Sequence, residues 1–195
     1  AHLVALLDAE GGPPAVRAAR AGATAAEWRN RGAMMLKADM PATAYDDYLR
    51  AVTLDPADAG ALDGLERTAA LTGRVALALE RVNLLTAAHP LSPAIWVTKS
   101  KLLADGGALD AAVEAARQAS EITPVQVIAL EQLASVFARM SDVEQLDVIV
   151  QKLQQTAPDR AATSHYAAVA RFLHGEFAEA VRLGVSVGVV DGVNV

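Results

Sequence analysis

The sequence contains no cysteine, and aromatic residues make up only 4% of its 195 residues. Without cysteine the chain has no disulfide framework and no cysteine-ligated zinc, and its four histidines are too scattered to replace those ligands. Charged residues also interrupt every apolar stretch well before the roughly 18 residues that a membrane-spanning helix needs. We therefore expect no metal, no cofactor and no membrane insertion.

The chain also lacks an excess of positive charge, because 17 Lys and Arg face 23 Asp and Glu, for a net charge of −6. Recognition of nucleic acid depends on massed basic side chains, so we expect no nucleic-acid partner. With 53% hydrophobic residues the chain is too apolar to be disordered. We expect an excerpt of a longer protein, with any targeting segment absent or already removed, because the chain starts at Ala1 without a leader. A cytoplasmic location is the expectation, although composition does not decide the compartment.

What the sequence does contain is a repeat of 34 residues. Prolines stand at this interval at Pro56, Pro90, Pro124 and Pro158. Three further series keep the same phase: bulky apolar residues (Trp28, Leu62, Trp96, Leu130), mostly small residues (Ala44, Ala78, Ala112, Leu146, Ala180) and a series rich in glycine (Asp39, Gly73, Gly107, Ser141, Gly175). A fixed period of this size is typical of a solenoid of stacked supersecondary units.

Each period has the pattern of two helices. Apolar residues in its first half recur at helical spacing, as in Leu62, Leu65 and Ala69. The glycine-type position then ends the helix, because glycine adopts the left-handed conformation readily. A second apolar series follows, and the proline ends it because its ring denies the next turn an N–H bond. Turns of the Asn-Gly type between alternating apolar runs are missing, so we predict an all-α fold.

The first period resembles the tetratricopeptide repeat (TPR) signature, because it places the family's Trp, Gly, Ala, aromatic, Ala and Pro at Trp28, Gly32, Ala44, Tyr48, Ala51 and Pro56. Five units follow in register: 25–58, 59–92, 93–126, 127–160 and 161–194. The resemblance implies an α-solenoid of stacked antiparallel helix hairpins, arranged as a right-handed superhelix. Departures from the family's pattern include Arg31 in place of Leu, and Ser141 and Leu146 in place of Gly and Ala.

The two ends of the chain differ from the repeats. Residues 1–24 do not keep the phase, so we expect either a degenerate cap or the tail of a preceding unit. Residues 183–195 are rich in Val and Gly and precede no polar helix, whereas a solenoid needs a polar outer face on its last unit. We therefore predict that this end meets further chain or a second copy of the protein, which would then be a homo-oligomer.

Catalytic motifs are missing from the sequence. It has no glycine-rich nucleotide loop, no HExxH metal helix and no GxSxG nucleophile elbow. The adjacent carboxylates Asp46 and Asp47 lie on a predicted outer helix, where we expect a solvated pair with no acid–base role. We therefore predict a protein that is not an enzyme.

In the family that the repeats resemble, function lies on the concave wall lined by the first helix of each hairpin. In that register the candidate peptide-binding residues are Arg29, Asn30, Lys37, Arg67, Val97, Thr98, Lys101, Gln132 and Arg139. Basic residues outnumber Asp63, Asp105 and Glu131 along this row, which favours an acidic peptide or a C-terminal carboxylate. The Lys, Asn and Arg set by which chaperone-tail binders of the family grip a carboxylate is missing, since its positions hold Arg29, Ala33, Gly64, Ala94 and Thr98.

These observations predict a non-catalytic scaffold that binds a peptide or protein segment in its concave groove. Three alternatives stay open: an accessory arm of a larger enzyme, a self-assembly module, and an RNA reader resembling pentatricopeptide arrays. The acidic balance and a period shorter than that of pentatricopeptide arrays weigh against the RNA reader.

Overall fold

The described part of the molecule is built from α-helices. The computed structural model describes residues 23–123 and 127–184, and in these ranges ten helices account for all regular secondary structure. They are α1 (Ala25–Lys37), α2 (Pro41–Leu54), α3 (Ala59–Thr72), α4 (Val75–Ala88), α5 (Pro93–Asp105), α6 (Leu109–Ile122), α7 (Val127–Met140), α8 (Val143–Thr156), α9 (Ala161–Leu173) and α10 (Phe177–Arg182). Most of both predicted end segments, at residues 1–22 and 185–195, lies outside the described residues.

The helices follow the 34-residue period of the sequence. First helices begin at Ala25, Ala59, Pro93, Val127 and Ala161, and second helices begin at Pro41, Val75, Leu109, Val143 and Phe177. The helices α2, α4, α6 and α8 each end two residues before one of the phased prolines. The cause is steric, because a proline ring disfavours the helical conformation of the residue before it and offers no N–H group to the preceding turn.

Two compact units make up the chain, unit 1 (Ala1–Thr98) and unit 2 (Lys99–Val195). In unit 1, α1 contacts α2 and α3, and α3 contacts α4. In unit 2, α7 contacts α8 and α9, and α9 contacts α10. These contacts join a first helix to its own second helix and to the first helix of the next hairpin. The predicted all-α solenoid of stacked helix hairpins is therefore confirmed.

The phased series of mostly small residues lies in the core of the hairpins. Its members are all fully buried: Ala44, Ala78, Ala112, Leu146 and Ala180. Alanine lets two helices approach closely, and larger buried side chains fill the surrounding space at normal packing density. These larger side chains include Met35, Val52, Leu62, Leu65 and Val82 in unit 1, and Leu102, Val136 and Leu153 in unit 2.

An ion pair lies inside the first hairpin, and it corrects the expectation that Asp46 and Asp47 form a solvated pair. The Asp46 side chain is 61% exposed, but Asp47 is only 1% exposed. Arg31 Nη1 on α1 donates a hydrogen bond to Asp47 Oδ1 on α2 at 3.1 Å. Helical periodicity explains the burial, because Asp47 follows Ala44 by three residues and precedes Ala51 by four, on the face that packs against α1.

The glycine-type position takes the left-handed conformation in all five repeats. Its φ angles are 56° at Asp39, 68° at Gly73, 81° at Gly107, 55° at Ser141 and 79° at Gly175. The position ends the first helix of each hairpin, so the prediction made from the glycines is confirmed, and it holds even where the residue is not glycine. Asp39 and Ser141 therefore carry the cost of placing a Cβ in this region.

Glycine substitution at these two sites is expected to stabilise the protein. Asp39→Gly and Ser141→Gly should each raise the free energy of unfolding by about 0.5–1 kcal/mol, because the strain outweighs the extra freedom of the unfolded chain. Gly107→Ala should lower it by about 1 kcal/mol, since a Cβ there would meet no atom within 4 Å and only the backbone would be strained. Urea unfolding measures all three changes. An unchanged or lower stability of both glycine variants would contradict the expectation.

Candidate functional site

We call the predicted peptide-binding residues the first-helix face. The structure places Arg29, Asn30 and Lys37 on α1, Arg67 on α3, Val97, Thr98 and Lys101 on α5, and Gln132 and Arg139 on α7. Unit 1 contains the first six of these residues and unit 2 contains the other three.

Three of the nine residues are buried in the protein. Val97 and Thr98 are each 4% exposed, and Gln132 is 7% exposed. The Thr98 hydroxyl donates to the carbonyl of Ala94 at 3.0 Å. Gln132 Nε2 donates to Ser100 Oγ at 3.0 Å, and Ser100 in turn donates to the Ala112 carbonyl at 2.8 Å. These polar groups have partners within the fold, so the surface of this face is formed by the remaining six residues.

Ion pairs between the first helix of one hairpin and the residue just before the next hairpin hold two charged residues of the first helices in place. Arg29 Nη1 donates to Asp58 Oδ2 at 2.8 Å, and Asp58 also caps α3 by accepting from Ala61 N at 3.0 Å. In unit 2 the equivalent positions carry the opposite charges. Arg160 donates two hydrogen bonds to the carboxylate of Glu131, at 2.6 and 3.1 Å, which raise the pKa of Arg160. The same contact is thus built twice with its charges exchanged.

The partner residues Asp58 and Arg160 were missed by reasoning from the sequence. The signal was present, because residues 29 apart in the chain carry opposite charges at the same phase in the first and fourth repeats. Each of these ion pairs, however, links the first helix of one hairpin to the start of the next hairpin. No pattern within a single helix reports that distance.

The other arginines of the face also lie near carboxylates. Arg139 donates to Asp105 Oδ1 at 3.2 Å and to the carbonyl of Ala104 at 2.7 Å, near the end of α5. Arg67 is 3.9 Å from Asp63, one helical turn earlier, and both side chains are more than half exposed. An exposed pair at this distance contributes little stability, so Arg67 remains available to a ligand.

The charge of the face is therefore smaller than the row of basic residues predicts. Four ion pairs bring carboxylates to this row: Arg29 with Asp58 and Arg67 with Asp63 in unit 1, and Arg139 with Asp105 and Arg160 with Glu131 in unit 2. When Lys37 is added to the first set and Lys101 to the second, the formal charge of each set is +1.

Tyr166 is a further member of the first-helix row in unit 2. Its ring makes an edge-on contact with the His165 ring, with centroids 5.1 Å apart. Burial raises the pKa of the Tyr166 hydroxyl, although a hydrogen bond with Ser135 acts in the opposite direction. The hydroxyl therefore stays neutral at physiological pH and contributes hydrogen bonding but no charge.

Paired helices at a constant period, with a polar face on the first helix of each pair, define a helical-repeat protein. The described residues have the tetratricopeptide-repeat fold. TTC0263, a thermophilic TPR protein of Thermus thermophilus, matches with a TM-score of 0.67 and 19% identity, over 82% of this chain and 88% of that chain. A tetratricopeptide repeat protein from Parabacteroides merdae ATCC 43184 matches with a TM-score of 0.58 and 14% identity, over 82% and 63% of the two chains.

A third solved structure, MamA from Desulfovibrio magneticus RS-1, matches with a TM-score of 0.57 and 14% identity, over 82% of this chain and 90% of that chain. No family model matches the sequence, and no curated protein is detectably similar to it. Within residues 23–123 and 127–184, no helix combines the length and the apolar character needed to cross a membrane. In the same ranges, no three His, Asp or Glu side chains are grouped to hold a metal ion.

Proposed function

We propose that this protein is a non-catalytic interaction scaffold whose first-helix face binds a peptide or protein segment, with a preference for acidic sequences. The observation that carries the proposal is the pair of contacts between a first helix and the residue just before the next hairpin, Arg29 with Asp58 and Glu131 with Arg160. They hold charged side chains in fixed positions on helices that are already formed. An extended ligand therefore bears most of the ordering cost, and the face bears little.

The preference for acidic segments rests on the remaining charge. In each unit the charged residues of the first-helix face and the residues of these ion pairs together have a formal charge of +1, although the whole chain carries a net charge of −6. Lys37 is exposed and Arg67 is 56% exposed, so both can reach a ligand. Charge of this kind increases the rate of association and the selectivity for a partner more than it increases affinity. A cytoplasmic location and an oligomer formed through the C-terminal end stay predictions.

Charge reversal on this face is expected to weaken partner binding. In the double variant Arg67→Glu, Lys101→Glu, the affinity for a partner captured from lysate and then purified should fall about tenfold or more. The matched control is Arg117→Glu, Lys152→Glu, which reverses two exposed basic residues on the second helices α6 and α8 and should change the affinity less than about twofold. Titration calorimetry of the purified pair measures both.

Salt provides a second readout of the same contacts. Binding that depends on exposed charges should weaken as ionic strength rises, because the Debye length falls from about 10 Å at 0.1 M to about 3 Å at 1 M. Equal affinity of the double variant and the wild-type protein would contradict an acidic ligand on the first-helix face. The fold would be unaffected by that result.

A further inference from the structure

A second surface of unit 1 carries an unusual combination of charge and apolar area. A cleft of about 590 Å³ lies between α2 and α4, the second helices of the first two hairpins. We name it the second-helix cleft, and it is lined by Tyr45, Asp46, Leu49, Thr53, Arg74, Leu77 and Arg81. None of these residues belongs to the first-helix face.

Two arginines extend across this cleft from the α4 side to α2. Arg74 Nη1 donates to Asp46 Oδ1 at 3.1 Å, and its guanidinium lies 5.0 Å from the centre of the Tyr45 ring. Arg81 Nη2 donates to the Thr53 hydroxyl at 3.0 Å. Arg74 therefore has a carboxylate partner, whereas Arg81 is bonded only to a neutral group.

Arg81 is a partly buried arginine that the described fold leaves without a carboxylate partner. Within residues 23–123 and 127–184 it forms no ion pair, and its Nε atom is shielded from solvent without a hydrogen bond. The residues at equivalent positions of the 34-residue period explain why Arg81 has no charged partner. Arg81 occupies the position of Asp47 in the first hairpin, and the residue in the position of Arg31 is the fully buried Leu65. The second hairpin thus keeps one charge at a site where the first hairpin has a matched pair.

A partly buried guanidinium without a carboxylate is energetically costly. A carboxylate supplied by a partner would remove that cost and could accept two hydrogen bonds from the same planar group. The lining as a whole carries one positive charge in excess, from Arg74 and Arg81 against Asp46. The charge of the cleft is therefore complementary to an acidic partner.

Apolar side chains lie on the same face of α4 as the arginines. Residues 74, 77, 81 and 84 are spaced by three, four and three positions, which places them along one side of the helix. Leu77 is 57% exposed and Leu84 is 63% exposed, so each presents apolar surface to solvent. This order of cation, leucine, cation, leucine matches a helix that carries carboxylates between leucines.

We propose that the second-helix cleft is a docking site for an acidic amphipathic helix of a protein partner. A carboxylate of that helix binds Arg81, and its leucine-type side chains pack against Leu77 and Leu49. Because the lining residues are separate from the first-helix face, the protein can hold two segments at once.

The probe for this site is a synthetic helical peptide of about 16 residues, long enough to be helical in water. It is built from Leu, Glu and Ala, with Leu at i, i+3, i+7 and i+10 and Glu flanking each Leu. Fluorescence anisotropy of the labelled peptide should show saturable binding to the full chain. Arg81→Gln and Leu77→Gln should each weaken that binding about tenfold.

The matched control is Arg117→Gln, because Arg117 lies on the second helix α6 of unit 2 and also forms no ion pair among the described residues. This variant should bind the peptide within about twofold of the wild-type protein. A second peptide with Lys in place of every Glu should bind at least about tenfold more weakly. Leu77 is exposed, so Leu77→Gln tests the site without disturbing the core, and thermal unfolding of each variant verifies the fold.

Three results would overturn the proposal: equal binding by the Arg81→Gln and Arg117→Gln variants, equal binding of the Glu and Lys peptides, or no saturable binding by the wild-type protein. The outcome is independent of the proposed function. Arg67→Glu with Lys101→Glu should leave binding of this peptide within about twofold, and Arg81→Gln should leave first-helix binding unchanged.

Discussion

Replacing Asp47 with alanine is expected to lower the free energy of unfolding by about 3–5 kcal/mol. Asp47 is 1% exposed and pairs with Arg31 at 3.1 Å, and the Arg31 side chain is itself only 15% exposed. Removing the carboxylate would take a hydrogen-bonded charge partner away from a guanidinium that is largely shielded from water inside the first hairpin. A loss of this size is a large part of the stability of an ordinary domain, about 5–15 kcal/mol.

Removing both charges should be far less damaging than removing one. The fourth repeat shows the alternative, because the positions equivalent to Arg31 and Asp47 hold Leu133 and Ile149, and both are buried. The double variant Arg31→Leu, Asp47→Ile should be within about 1 kcal/mol of the wild-type protein, or more stable. The ion pair would then be replaced by packing that the same fold already uses.

Urea unfolding followed by circular dichroism measures these variants. Asp46→Ala is the matched control, since Asp46 is the preceding residue, its side chain is 61% exposed, and an exposed ion pair contributes about 0–1 kcal/mol. A loss no larger for Asp47→Ala than for Asp46→Ala would show that the pair is not energetically important. Failure of the double variant to recover stability would show that the two charges have a role that apolar packing cannot replace.

The second large effect is expected at Gly64, where alanine should destabilise the protein by about 2–3 kcal/mol. The Tyr48 ring is 3% exposed and lies between Gly32 of α1 and Gly64 of α3. A Cβ on Gly64 would overlap Tyr48 Cε1. The ring has little room to retreat, because its other edge lies so close to α1 that the space beside Gly32 would not hold even one added carbon without a tight contact of 3.1 Å. The higher helix propensity of alanine offsets only about 1 kcal/mol of this cost.

A smaller side chain at position 48 tests the origin of the effect. In a Tyr48→Leu background, Gly64→Ala should cost about 0.5 kcal/mol or less, since no ring remains to be displaced. Gly60→Ala is the control on the same helix, because its Cβ would meet side-chain atoms of Arg29 at 3.0 Å and Asp58 at 3.3 Å and would not meet the tyrosine ring. An equal loss for Gly64→Ala with and without the tyrosine would contradict the packing explanation.

The candidate site was predictable from the sequence only in part. Helical register identified which helices carry its residues, and of these residues Arg67 and Lys37 have exposed side chains. It did not separate these from Val97, Thr98 and Gln132, which are buried. The reason is that a residue at the edge of a helical face is covered or exposed according to the side chains of the next hairpin, and these differ from repeat to repeat.

Asp46 and Asp47 show, within one helix, that residue type alone does not predict which side chain is buried. Two adjacent carboxylates look alike in the sequence, yet one is solvated and the other pairs with Arg31. Their positions relative to Ala44 and Ala51 could have separated them, because those alanines mark the buried side of α2. The departure at Arg31 was the second signal, since a charge in place of the usual leucine requires a partner of opposite sign nearby.

Among the described residues, the period and the ends of nearly every helix follow from the amino-acid order, because prolines, left-handed turn positions and apolar spacing act over a few neighbouring residues. Which charged side chains form ion pairs depends on contacts between residues that are far apart in the chain. Arg29 pairs with Asp58 and Arg160 pairs with Glu131, whereas Arg81 has no carboxylate partner among the described residues. These differences depend on how one hairpin stacks on the next. That stacking is set by side-chain packing between repeats, and the sequence of a single repeat does not contain it.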